Sequence, residues 1–175
     1  MGFVYTARFD SSIGQLTLAS SEKGLVYVGL PHANGRGFAG WQRRHAPDEM
    51  VKEGFEPNQA AIVQLHEFLD GKRQDFELKL DLRATTFQLD VYNVLSDIPY
   101  GEAVSYSEVA RRLGRPSAVR AVGAANGANP IPLVIPCHRV VAADGHLHGY
   151  AGGVDLKARL LAMESATQPP AGTLF

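Results

Sequence analysis

The stretch Pro130-Ile131-Pro132-Leu133-Val134-Ile135-Pro136-Cys137-His138-Arg139-Val140 constrains this chain most, because it carries the only cysteine in 175 residues. Three branched apolar residues in succession, Leu133 to Ile135, predict a buried strand. Pro136 lacks a backbone donor and cannot continue in a central strand, so the strand stops there. Cys137 is expected where that strand ends, on a stiff support. A lone cysteine is more often a small buried hydrophobe than a nucleophile. A thiol with its ordinary pKa of ~8.5 is little ionised at neutral pH. Lowering that value by two units requires favouring the thiolate by about 2.7 kcal/mol. His138 and Arg139 are the cationic and hydrogen-bonding groups at hand. Along a strand, however, neighbouring side chains face opposite ways. His138 reaches Cys137 only if the chain turns there or a water bridges them.

One cysteine permits no internal disulfide and no zinc site built on paired cysteines. A free thiol is at home in a reducing cytoplasm. No stretch reaches about 18 consecutive apolar residues, so no membrane span is predicted. The opening MGFVYTARFD lacks the basic-then-apolar pattern of a signal peptide. The formal net charge of −1 argues against a nucleic-acid partner, but the average hides a local bias. Between Val109 and Ala143 stand Arg111, Arg112, Arg115, Arg120 and Arg139 and no acidic residue, the pattern of a DNA-facing surface.

In the N-terminal half, Phe3 to Phe9, Leu16 to Ala19 and Gly24 to Leu30 read as short strands between turn clusters. Pro31 to Pro57 reads as a long Gly-, Pro- and charge-rich loop holding Trp41, Arg36, Arg43 and Arg44, whose arginines are expected in solvent. Asn58 to Leu69 is an amphipathic helix with His66 on its inner stripe, stopped by Gly71. Phe76 to Leu82 alternates as a half-buried strand. The pattern predicts an α+β domain.

In the C-terminal half, Thr85 to Gln88 and Ser105 to Glu108 are capping-box patterns, each opening a helix. Gly114 ends the second helix, and a third starts at Pro116 and Ser117. Two short helices about a Gly-containing turn make a helix-turn-helix. The third helix is crowded with Ala118, Ala121, Gly123, Ala124 and Ala125, and its one long cation is Arg120. That smooth surface fits shallow minor-groove docking with an inserted side chain better than major-groove reading. Glu164, near the end of a final helix from Asp155, sits unfavourably for the helix dipole and is expected to have a cationic or imidazole partner.

PCHRV, preceded by NPIP and followed by GYAGG, resembles the active-site signature of the O6-alkylguanine-DNA alkyltransferases, the methylated-DNA–protein-cysteine methyltransferases. SYSEVARRLGRPSAVRAVGAANGANP resembles their helix-turn-helix, and the likeness runs from about Thr86 to Glu164. The resemblance implies a ribonuclease-H-like α/β domain with a small antiparallel sheet over residues 1–84. It implies a helical domain with a winged helix-turn-helix over 85–175. By the same resemblance Cys137 accepts the alkyl group irreversibly, once per molecule, from O6-alkylguanine (and O4-alkylthymine) flipped out of the duplex. His138 deprotonates it through a water, Glu164 orients His138, and Tyr106 protonates the departing base. Arg120 fills the gap, while Ser105, Ala118, Ala121, Gly123 and Asn126 contact DNA. Pro132, Val140, His148, Tyr150 and Ala151 line the pocket, and Asn129 and Arg139 brace the hinge. Tyr92 stands where the family usually has tryptophan. No cofactor and no metal are implied. The partner the resemblance implies is double-stranded DNA, bound through the minor groove by a monomer that can cooperate on DNA. The rivals are a thiol hydrolase, a non-catalytic damage-binding protein and a winged-helix regulator.

Overall fold

A computed structural model describes residues 2–31, 37–144, 150 and 152–166. The chain divides into two compact units. One holds the chain to Thr85 together with Pro130–Val134; the other takes Thr86–Asn129 and the chain from Ile135 on. The Pro130–Val134 segment joins the first unit through a hydrogen bond from the Val28 amide to the Pro130 carbonyl, 2.9 Å.

The N-terminal unit is built on β1 (Phe3–Ser11), β2 (Gly14–Ser21), β3 (Gly24–Gly29) and β4 (Met50–Glu53), in the spatial order β3-β2-β1-β4. The first three form an antiparallel meander, but β4 runs parallel to β1, so the sheet is mixed rather than purely antiparallel. The segment expected as one long loop therefore contains α1 (Gly37–His45) and β4. Its glycines and charges masked a helix anchored by Trp41, which packs with Val4, Ala19, Val26 and Ala46. All four residues of β4 are exposed, so no alternation marked that strand. Phe76 to Leu82 also departs from expectation. It is extended, yet only Leu80 bridges to Leu25, held by Leu25 N–H to Lys79 O (2.9 Å) and Asp81 N–H to Leu25 O (2.8 Å). The close approach needs Gly24, where a Cβ would stand 2.5 Å from the Lys79 carbonyl.

Helix α2 (Gln59–Leu69) buries Ile62, Leu65, Phe68 and Leu69 at the 3.6-residue period. Just before it, fully buried Asn58 accepts from Ser20 Oγ (2.7 Å) and donates to the carbonyls of Tyr5 (3.0 Å) and Gly54 (2.8 Å). His66 is half-buried, with its ring 4.8 Å from that of Phe9.

The C-terminal unit contains α3 (Thr86–Ser96), β5 (Val104–Ser105), α4 (Tyr106–Arg112), α5 (Val119–Gly127), β6 (Val140–Val141) and α6 (Val154–Ala166). Helices α4 and α5 form the helix-turn-helix, and β5 pairs in parallel with β6. Ser105 caps α4, its Oγ accepting from the Glu108 amide at 3.0 Å. Gly114, at φ +73°, takes the left-handed conformation that closes α4. Tyr92 is buried on α3 and donates its hydroxyl to the Ala125 carbonyl (2.9 Å), tying α3 to α5.

Leu133 to Ile135 is not a strand. Leu133 lies in the left-handed region (φ +74°) within a turn, although Ile131, Leu133 and Ile135 are all buried. Prolines at 130, 132 and 136 remove the donors a ladder needs, so the apolar run reports burial and not sheet.

Candidate active site

Pro136 (φ −80°, ψ 65°) centres an inverse γ-turn closed by the Cys137 amide on the Ile135 carbonyl, 2.8 Å. Cys137–Arg139 then forms one 3-10 turn, with the Arg139 amide on the Pro136 carbonyl at 3.0 Å. The cysteine thus sits on a double turn rather than at a strand end, and strand alternation does not separate its side chain from that of His138.

Two asparagines secure this turn. Asn129 donates to the Ile135 carbonyl (2.8 Å) and also hydrogen-bonds the thiol. Asn126 is 4% exposed and donates to the Cys137 carbonyl at 3.4 Å. Asn126, expected at the DNA surface, is therefore a support of the cysteine, because the inner face of α5 carries it inwards.

His138 (0% exposed) and Glu164 (1%) are joined by a 2.6 Å contact between Nε2 and Oε2. Arg139 grips the same carboxylate with two donors, Nε at 2.9 Å and Nη2 at 3.0 Å, and sends Nη1 to the Ile98 carbonyl at 2.8 Å. The Gly101 amide adds a fourth donor at 3.0 Å. Burial alone would raise the Glu164 pKa, but the hydrogen bonds from His138 and Arg139 hold it down at about 2. Burial pushes the His138 pKa down against the pull of Glu164. The imidazole is therefore neutral beside an ionised carboxylate, and that carboxylate requires the hydrogen on Nε2. Nδ1 is then the basic nitrogen.

The thiol differs from expectation. Cys137 is 4% exposed, and burial raises its pKa to about 11, outweighing the Asn129 hydrogen bond and the Lys157 charge that favour the thiolate. Arg139, expected among its activators, is committed to Glu164. Tyr106 and Tyr150 both have raised pKa values, through burial first and the Cys137 charge second, so both phenols lie within electrostatic reach of the sulfur. The Tyr150 hydroxyl is buried with no hydrogen-bond partner among the described residues. Val140 is buried in β6 and Pro132 in the Pro130–Val134 segment. His148 and Ala151 lie outside the described residues, as do Arg36 and the tail from Gln168.

Lys157 escaped the sequence reading. It is fully buried on α6, with Nζ 5.8 Å from the centre of the Tyr106 ring. Burial lowers its pKa, and the Cys137 charge opposes that shift. The signal was available: Lys157, Leu160 and Glu164 are the buried stripe of α6, spaced as one helical face.

On the outer side, Arg120 and Ala121 are exposed on α5, and Ala118 and Gly123 are half-buried. Ser105, half-buried, serves as the cap of α4. The basic patch is smaller than the sequence suggests. Arg139 is internal, Arg111 and Arg112 both pair with Glu108, and Arg115 lies 5.5 Å from the Phe87 ring centre. Among the described residues no group of three or more His, Cys, Asp or Glu could hold a metal. No helix among them is long and apolar enough to cross a membrane.

An α+β chain whose helix-turn-helix unit encloses one thiol, a neutral imidazole and an ionised carboxylate defines a class of DNA-associated cysteine proteins. Residues 86–166 match the 6-O-methylguanine DNA methyltransferase DNA-binding domain, and residues 4–82 match the ribonuclease-like domain of the same proteins. The chain is 42% identical, over 93% of its length and 99% of the relative's, to a methylated-DNA–protein-cysteine methyltransferase of Methanosarcina acetivorans. It is 42% identical to an inducible enzyme of that name from Bacillus subtilis, over 84% of this chain and 82% of the other. The crystal structure of Mycobacterium tuberculosis OGT in complex with DNA superposes with a TM-score of 0.79 at 39% identity, covering 95% of each chain. The chain belongs to the methylated-DNA–protein-cysteine methyltransferase family.

Proposed function

We propose that this chain repairs alkylated DNA directly, moving the alkyl group of O6-alkylguanine onto Cys137 Sγ once per molecule. The observation that carries the reading is the buried pair of neutral His138 and ionised Glu164, with His138 next to Cys137 in the chain and Asn129 at the sulfur.

The alkylated oxygen is inside the duplex, so the base must leave the stack, at a cost of a few kcal/mol. Docking is through the minor groove, with α5 against DNA and Arg120 in the vacated space. Sγ then forms a bond to the alkyl carbon as the carbon–O6 bond breaks, and its electron pair passes to the guanine oxygen. The thiol proton goes to Nδ1 of His138 through a water, and Tyr106 supplies a proton to ring N3, leaving neutral guanine. At a pKa of about 11 only about one thiol in ten thousand is ionised at pH 7, so a base is needed. Asn129 and the Lys157 charge stabilise the thiolate as it forms.

Tyr150 and Val140 line the base pocket; Ser105, Ala118, Ala121 and Gly123 meet the DNA backbone. The chain acts as a monomer in the cytoplasm. The thioether has no leaving group to reverse it. Titration with excess methylated duplex tests this: one methyl group per chain is expected, and continued turnover overturns it.

A further inference from the structure

The two arginines at the end of α4 are arranged around an oxyanion. Arg111 forks onto both oxygens of Glu108, Nε to Oε1 at 2.8 Å and Nη2 to Oε2 at 2.6 Å. Arg112 adds Nε to Oε2 at 2.8 Å. The Glu108 amide is taken up by the Ser105 cap, so its side chain is not needed to open the helix. Two-pronged contact between guanidinium and a carboxylate is the geometry by which arginine also holds phosphate. The Arg111 side chain is 68% exposed, so the arrangement faces solvent.

We propose that Glu108 is a built-in phosphate surrogate: it holds Arg111 and Arg112 in phosphate-binding geometry and yields to a DNA backbone phosphate when the helix-turn-helix docks. This rests on the reading that α4 and α5 meet DNA. Glu108 cancels one of the two positive charges, so it lowers the affinity for undamaged duplex and its dependence on salt. Without that charge the arginines displace about one more counterion from DNA, and log K falls with log salt more steeply by ~0.9 per added charge.

The test is unmodified duplex binding across a salt series. Glu108→Gln should bind about eightfold more tightly at 0.1 M salt, converge with the wild type near 1 M, and show a slope steeper by ~0.9. Affinity and slope equal to or below the wild type overturn the proposal. Arg111→Gln combined with Arg112→Gln, which leaves the cap intact, should flatten the slope; an unchanged slope also overturns it. If wild-type protein fails to bind duplex at low salt, the DNA-docking reading itself falls. Wild-type binding with an indifferent Glu108→Gln overturns the surrogate alone.

Discussion

The two units of this protein treat charge in opposite ways. In the N-terminal unit, Arg83 pairs with Glu49 and Asp81 and donates to the His45 carbonyl, and all three side chains keep partial contact with water. That network ties surface segments together. In the C-terminal unit, His138, Arg139, Lys157 and Glu164 are buried around the one thiol. A buried charge costs several kcal/mol unless it is matched, and fully matched groups are held rigidly. The first unit spends its polar groups on fastening, whereas the second uses them to set protonation states.

Cys137→Ser should sharpen this contrast most, abolishing transfer to DNA while duplex binding persists in a mobility-shift assay. Arg83→Ala, by contrast, should leave the transfer rate per folded molecule unchanged.

His138→Gln comes next, with a loss of about two to four orders of magnitude at pH 7, the usual share of a general base. The pH profile gives the finer test. With His138 neutral and the thiol pKa at about 11, the wild-type rate should be flat from neutral pH upward and fall in acid as His138 gains a proton. In the variant the rate should follow the free thiolate and rise about tenfold per pH unit. A flat variant profile would break the assignment of His138.

Stability should separate the units again. Glu164→Ala strands buried Arg139 and should cost about 3–5 kcal/mol in denaturant unfolding, whereas Glu49→Ala, partly exposed, should cost about 1 kcal/mol or less. Acid reports the same difference. The Glu164 pKa is about 2 when folded against an ordinary 4.5, so its contribution is complete above 4.5 and drains away as pH falls towards 2. The Glu164→Gln variant should lose that part of the acid sensitivity.

Arg120→Ala should have a smaller effect on transfer than His138→Gln and a selective one. Repair of duplex substrate should drop about tenfold to a hundredfold, since the vacated stack is left unfilled, while reaction with the free modified base stays near wild type. Equal losses on both substrates would remove Arg120 from that role.

Much of this was legible in the residues because local rules agreed there. The β1–β3 meander, α2 and the capped α4 each carry a period or a cap that tertiary packing did not override. What the residues hid had a physical cause in each case. Parallel β4 pairs through its backbone while exposing every side chain, so it leaves no pattern. The proline-rich run before Cys137 is as apolar as a strand but lacks the donors for one. Asn126 and Lys157 look like surface residues by type, and only their places on the inner faces of α5 and α6 make them supports of the thiol. The arginine tally misled because Glu108 stands one residue outside the window and answers two of them.

Intact-mass analysis with peptide mapping, after exposure to duplex bearing O6-methylguanine, tests the central claim most directly. The account predicts a gain of one methylene per chain, confined to the peptide holding Cys137 and absent with unmodified duplex. An unchanged mass, or a methyl group on any other residue, would contradict it.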